Sequence, residues 1–471
     1  MQDVTDELIA RYGGAVERMA TGVRVADPSR LQSDVTDGVV FDAVFGTGDL
    51  KEAARWLLWE LGQATGARPA AINALYLARG RGECAGFTVP AINVRMVAYD
   101  TARAVFRAAR KGNAGAILLE IARSEIAYTD QRPAEYVSVL LGAALREGYT
   151  LPLFIQGDHC QVNAKKYAAD ADGEVGEVKK LIAEEVSAGF YNIDVDTSTL
   201  VDLSRATLAE QQRDNYERAA EITAFIRELE PEGVTVSVGA EIGEVGHKNS
   251  TVEELDAFMA GYLAEIDRLG VRDGISKISV QTGTSHGGVV MPDGKIAEVK
   301  LDLAALEALS TRARKQYGLA GAVQHGASTL PAEAFSHFPR VETAEIHLAT
   351  NFQSIVMDHP RLPAELRARV AEWVRENCAS ERSAKDTEEQ FQYKSRKKAI
   401  GPFKREFWTL PAEVRGAIAD DLERTFLFLF EQLNVNGTAD LVRRFVHAPV
   451  QHHAALRPVH AAAEDDPDAG E

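Results

Sequence analysis

Asp158 and His159 stand side by side at the end of the apolar run 151–157, and buried strands do not usually end on an acid and an imidazole. Three other short apolar runs lead into residues of the same kinds: 234–238 precedes Glu241, 277–281 precedes His286, and 319–323 precedes His325. One glutamate and three histidines, each after its own run and each with a glycine close by, describe a mononuclear metal site, because imidazole and carboxylate suit zinc and its neighbours. A lone histidine at a strand end is more often structural; a set of four at four separate ends is harder to dismiss. Gly287-Gly288 and Gly326-Ala327-Ser328 add backbone N–H donors for an oxyanion or phosphate. Asp158 has two readings, a general acid or base that reaches the substrate and a carboxylate that orients a ligating imidazole. Cys160 follows His159 with no separate basic partner in the motif, which makes it a weak candidate nucleophile.

Such residues need a scaffold that brings strand ends together. Eight strand-like runs, at 87–94, 116–121, 151–156, 191–195, 234–238, 277–281, 319–323 and 344–348, alternate with helical periodicity at 99–110, 134–147, 174–188, 215–229, 251–269 and 302–317. This alternation predicts a (β/α)8 TIM barrel of α/β class rather than an open doubly wound sheet. The G-x-G-x-x-G dinucleotide fingerprint is also missing where an open sheet would need it. In such a barrel the C-terminal strand tips carry the chemistry, so the four candidate ligands would share one rim. Residues 1–85 predict a helical extension, with helices at 3–20 and 50–64 around a turn-rich 27–38, capping the barrel's N-terminal side. The barrel is expected over 86–356, further helices over 357–460 (364–377 and 413–433 among them), and a disordered acidic tail over 461–471. The stretch 385–398 ends in Lys394, Arg396, Lys397 and Lys398, either a solvated helix face or an anion site folded over the barrel mouth.

With 471 residues, 45% hydrophobic and 26% charged, the chain has the make-up of a globular protein large enough for a barrel with additions. A formal net charge of −18 argues against nucleic acid or an anionic membrane as partner, so any phosphate must be held locally. No signal-peptide pattern or bilayer-length apolar run is present, and a cytoplasmic location is expected. Cys84, Cys160 and Cys378 form no C-x-x-C pair, and no disulfide framework is expected.

Over roughly 85–355 the chain resembles the class II, metal-dependent fructose-bisphosphate and tagatose-bisphosphate aldolases. The matching pieces, in the family's order, are Pro90-Ala-Ile-Asn93-Val, Gly157-Asp158-His159, Asn192-Ile-Asp194-Val-Asp196-Thr-Ser, Ala240-Glu241-Ile-Gly243, Gly283-Thr-Ser-His286-Gly287 and His325-Gly326-Ala-Ser328. The resemblance implies Zn²⁺ or another divalent ion on His159, His286 and His325, with Glu241 at an alternative metal position or behind the ligands, and it admits a monovalent cation as a further cofactor. It implies Asp158 as proton donor to the aldehyde oxygen, and Asn93, Gly287, Gly326 and Ser328 as substrate and phosphate contacts. The implied reaction is reversible cleavage of a phosphorylated ketose, fructose 1,6-bisphosphate first, to dihydroxyacetone phosphate and an aldehyde such as glyceraldehyde 3-phosphate, in a homodimer or higher homo-oligomer. Tagatose bisphosphate or a sulfonated ketose phosphate is the alternative substrate, and a non-catalytic partner subunit is the alternative class. A metal-dependent hydrolase would require an open metal position for water. The departures from the family are concrete. Gln156 stands where a His is common, the Asn-x-Asp-Thr of the eighth strand is His347-Leu-Ala349-Thr350, and the lysine after the second His-Gly is Val290 in simple register, with Lys295 nearby. The loop glutamate is not evident, which leaves Glu244 and His247 as substitutes and His347 as a replacement substrate contact beside Thr350.

Overall fold

The computed structural model describes residues 2–243, 248–283 and 301–453. Eight parallel strands follow one another around a closed ring: β1 (Val89–Asn93), β2 (Leu118–Ala122), β3 (Leu153–Gln161), β4 (Asn192–Asp196), β5 (Ser237–Glu241), β6 (Lys277–Val280), β7 (Ala322–Gln324) and β8 (Glu345–Leu348). Pairing of β8 with β1, from Glu345↔Val89 to Leu348↔Ile92, closes the (β/α)8 barrel. Each of the eight expected runs forms a strand. Side chains alternate between the two faces of a strand, and here apolar residues such as Ile346, Ile278 and Ile193 alternate with the polar residues of the interior.

The six helices read from the sequence are present as Ala98–Gly112, Pro133–Arg146, Ala171–Ala188, Arg213–Leu229, Val252–Arg268 and Leu303–Tyr317. After β7 and β8 the described helices are short, His337–Arg340 and Thr350–Met357. The long C-terminal helix Ala412–Gln432 covers that side, packing on both Thr350–Met357 and Ala98–Gly112. Arg107 Nε reaches Glu423 at 2.5 Å and Arg415 reaches Asp100 at 3.2 Å across this seam.

The N-terminal residues depart from the expected pair of helices. Helix Gln2–Ala10 stops before Gly13 and Gly14, whose φ of 61° and 83° no helix accommodates, and Val16–Arg18 then pairs with Val23–Val25 as an antiparallel hairpin. The turn-rich stretch holds a 3₁₀ turn, Pro28–Gln32, and the start of helix Asp34–Phe45. That helix and Gly48–Thr65 lie on the barrel flank against Pro133–Arg146. It is the short helix Asn73–Gly80 that meets the N-terminal strand ends, where the Tyr76 hydroxyl donates to Glu345 and Arg79 donates to the Thr343 carbonyl at 3.0 Å. Near the chain's end, Gln451 and His453 lie across Gly48–Thr65, accepting from the Trp59 and Trp56 indoles at 2.6 and 3.1 Å. No helix among the described residues is long and apolar enough to cross a membrane. The acidic tail 461–471 lies outside the described residues, as do Glu244, His247, His286, Gly287, Val290 and Lys295.

Candidate active site

A break in β3 aims the first two candidates. The pairing of β3 with β4 shifts register between Gly157 and Cys160, and His159 takes φ 41°, the left-handed region that non-glycine residues seldom occupy. In a regular strand Asp158 and His159 would face opposite sides; the bulge lets both reach groups of the barrel interior. They sit within the strand, and not beyond its end at residue 156 as the sequence suggested. A Cβ on Gly157 would lie 2.5 Å from Glu185 Oε2, so a larger residue there would have to displace the Glu185 carboxylate of helix Ala171–Ala188. Cys160 points to that outer side, its sulfur 3.3 Å from Glu185 Oε2, and burial pushes its thiol pKa well above the usual value. A thiol held protonated there does not serve as nucleophile.

Inside the barrel three sets of potential ligand atoms follow one another, each with its atoms within 4.8 Å: His159, Glu241 and His325; Asp158, His325 and His347; Asp194, Glu345 and His347. His325 and His347 each belong to two sets. Their rings lie 4.0 Å apart between centroids, and His159 lies 4.3 Å from His325. His159 Nδ1 is 3.1 Å from Asp196 and 3.8 Å from Glu241, while Glu241 is 4.0 Å from His325 Nε2. His347 Nδ1 sits 3.0 Å from Glu120 and 3.1 Å from Asp158, and its Nε2 is 2.8 Å from Glu345 and 3.6 Å from Asp194.

Acids outnumber bases here, and the titration behaviour follows. Burial and the charge of Asp196 push Glu241 to about 8, and burial together with Asp158 pushes Glu120 to about 7. Burial works against a charged His159, yet Asp158, Asp196 and Glu241 outweigh it and hold the pKa well above normal. With Glu241 and Glu120 raised and His159 held charged, the end of the pocket around these three is short of positive charge among the described residues. Both ring nitrogens of His347 are buried without a well-aligned hydrogen bond despite the nearby carboxylates. The donor set fits a divalent ion on these grounds, and His159, Glu241 and His325 repeat the two-imidazole, one-carboxylate composition of catalytic zinc sites that keep an open position.

A model of the class-II fructose-bisphosphate aldolase family matches residues 81–398, more than half of the chain. The chain belongs to that family. Class-II aldolases use a divalent metal and act on phosphorylated ketoses, in keeping with the ligand sets of this barrel. No curated protein matches it in sequence. Among solved structures, the native fructuronate-tagaturonate epimerase UxaE of Cohnella laeviribosi shares the fold with a TM-score of 0.57 at 13% identity, over 92% of this chain and 100% of that one. A probable tagatose 6 phosphate kinase of Sinorhizobium meliloti 1021 gives 0.51 at 18% identity, over 76% of this chain and 93% of that one. A fructose-bisphosphate aldolase of Campylobacter jejuni gives 0.45 at 17% identity, over 76% and 93% respectively.

Of the expected site residues, Asp158, His159, Glu241, His325 and His347 converge, and His286 and Gly287 fall outside the described residues. Asn93, at the end of β1, donates to Glu125 at 2.5 Å and accepts from Arg95 at 3.2 Å. Gly326 (φ 68°) starts the 3₁₀ turn Ala327–Thr329, and the Ser328 hydroxyl accepts from the Ala349 N–H at 2.6 Å. Ser328 and Thr350 open on a cavity of about 420 Å³ walled by Phe335, Tyr393 and Phe428, whose only charged lining residue among those described is Asp358. In the basic stretch Arg396 pairs with Asp358, Lys394 with Asp386 at 2.7 Å and Lys398 with Glu381 at 2.8 Å, while Lys397 lies over the Tyr128 ring. Glu120, Asp196, Lys277 and Glu345 were not expected in the site. Their signal was a polar residue on alternate positions of apolar strands, as in Gln156-x-Asp158, Lys277-x-Ser279 and Glu345-x-His347.

Proposed function

We propose that the chain is a metal-dependent aldolase that reversibly cleaves a phosphorylated ketose, with fructose 1,6-bisphosphate as the first substrate to test. What supports this reading is the position of Asp158, 3.1 Å from His347 Nδ1 and 4.0 Å from His159 Nε2, beside residues that could hold a metal ion. Breaking the carbon–carbon bond leaves negative charge on the ketone fragment. A divalent ion such as Zn²⁺ on His159, Glu241 and His325, joined by His286, would supply Lewis-acid stabilisation of that charge. Asp158 takes the proton from the hydroxyl of the carbon that becomes the aldehyde and returns it in condensation. His347 Nδ1 lies between Glu120 and Asp158, at 3.0 and 3.1 Å, and would balance the charge of both carboxylates. Gly326, Ser328 and Thr350, with Gly287, take the phosphate end, and Asn93 lines the pocket. Burial works against the charge of Lys277, the lysine inside the barrel, yet its ion pairs with Asp194 and Glu345 outweigh that and raise its pKa, which argues against a Schiff-base amine.

Aldol cleavage of fructose 1,6-bisphosphate, read by a coupled triose-phosphate assay, should be abolished by EDTA and restored by Zn²⁺. Absence of turnover in protein that carries stoichiometric metal would reject this substrate.

A second reading is isomerisation of a ketose acid at the same groups. The fold shared with the fructuronate-tagaturonate epimerase covers 92% of this chain, so it extends into the added helices. Interconversion of fructuronate and tagaturonate followed by NMR decides it: a new ketose without triose products would favour the epimerase.

A further inference from the structure

The deepest of the three ligand sets already contains a cation. Lys277 opens β6 with its side chain turned into the barrel, 1% exposed. Its ammonium lies 2.9 and 3.0 Å from the two oxygens of Asp194, 2.5 Å from Glu345 Oε1 and 2.8 Å from Gln156 Oε1. An ammonium has three N–H donors, and three residues receive them. Asp194 and Glu345 are also two of the three members of the set completed by His347. The neighbouring strand leaves room for the pair: a Cβ on Gly239 would lie 2.3 Å from Asp194 Oδ1 and 2.8 Å from Lys277 Cε and would push the two side chains from their present positions. Lysine is almost never fully buried unless paired, and here the pairing is with the carboxylates that would otherwise bind an ion.

We propose that Lys277 is a built-in cation standing in the place of a second metal ion: it fills the Asp194–Glu345–His347 set, confines the divalent ion to the sets above, and leaves the barrel with a mononuclear centre. Two-metal sites elsewhere hold their ions through ligands shared along a row of donors, and the row here, linked by His325 and His347, would offer that arrangement if the ammonium were absent. Lys277 is thus a positioning residue. By holding Asp194 and Glu345 below the His347 ring, it leaves Nδ1 of that ring facing Asp158 and Glu120.

The inference builds on the metal reading of the upper sets, but its test counts ions and does not require turnover. EDTA-stripped wild type and Lys277→Ala are titrated with Mn²⁺, bound metal is counted by elemental analysis, and exchange coupling between neighbouring ions is read by electron paramagnetic resonance. Lys277→Ala should bind one more Mn²⁺ per chain than wild type, show a coupled signal when the upper site is filled, and gain more in melting temperature on Mn²⁺ addition. The double variant Lys277→Met, Glu345→Gln, which removes the ammonium together with one ligand, should bind no extra ion. An equal metal count in Lys277→Ala and wild type overturns the proposal. So does a Lys277→Ala protein that stays unfolded in Mn²⁺, since the ion then cannot replace the ammonium. An added equivalent in an enzyme inactive on fructose 1,6-bisphosphate would keep this inference while removing the aldolase reading.

Discussion

The interior of the barrel and the stretch 385–398 are both dense in charge, yet they are built on opposite terms. In the barrel, Lys277 and His347 face Glu120, Asp158, Asp194 and Glu345, all buried, and each cation is shared among several acids. In 385–398 three cations each pair with an acid, Lys394 with Asp386, Arg396 with Asp358 and Lys398 with Glu381, and in every pair one partner is open to solvent. Solvated pairs contribute about 0–1 kcal/mol because water already stabilises both charges. Buried pairs are different: removing one partner strands the other without water, at about 3–5 kcal/mol. Charge density in sequence therefore says little about function. Charge that is buried and left short of cations is where a metal or a proton can act.

The largest break should come from Glu345→Ala. That carboxylate accepts from Tyr76, Gln156 and Lys277 and lies against His347, and although burial works against its charge, Lys277 and His347 hold its pKa down at about 2. Its loss should destabilise the fold by about 3–5 kcal/mol in urea unfolding; a change under about 1 kcal/mol, the range of solvated pairs, would place the interior with the surface. Asp158→Asn comes next. If Asp158 carries the proposed proton, its replacement should lower turnover by on the order of 10²–10⁴-fold with metal content retained, whereas a loss below about tenfold, short of that range, would reduce Asp158 to an orienting carboxylate.

Glu185 sharpens the comparison from the outer side of β3. It is a buried acid that accepts from the Cys160 thiol, and burial raises its pKa from 4.5 to about 8. Between those values the folded chain keeps a proton that the unfolded chain has lost, so this group makes stability fall as pH rises from about 4.5 to about 8 and level off above. Glu185→Gln, which stays neutral, should remove that part of the slope, an effect on the order of a few kcal/mol across the window. Unfolding curves collected across this window would check it, and parallel slopes for the two proteins would mean that the acid is ionised in the folded state.

The barrel and the meeting of Asp158, His159, Glu241 and His325 were legible because apolar runs and their polar ends are local signals. Three things were not. The bulge at His159 depends on pairing with β4 and on the close approach of Glu185 to Gly157, neither of which is local. The buried acids Glu120 and Glu345 sit in runs that read as ordinary strands, and only the closure of the ring shows that their side of the alternation faces inward. At the N-terminus, Gly13 and Gly14 end a helix that periodicity alone would continue into Val16–Arg18.

The smallest effect belongs to the basic stretch, and it tests the other half of the comparison. Arg396 bridges Asp358 and the Ser354 hydroxyl at the end of helix Thr350–Met357, and its guanidinium lies 4.9 Å from the centre of the Tyr393 ring. These contacts tie the C-terminal helices to the barrel without directing a cation into the interior. Arg396→Ala should therefore cost less stability than Glu345→Ala, and the KM for a phosphorylated ketose should stay at the wild-type value in steady-state assays. A rise in KM with unchanged kcat would show that the stretch reaches the anionic end of the substrate, and the division between a solvated surface cluster and a working interior would then fail at Arg396.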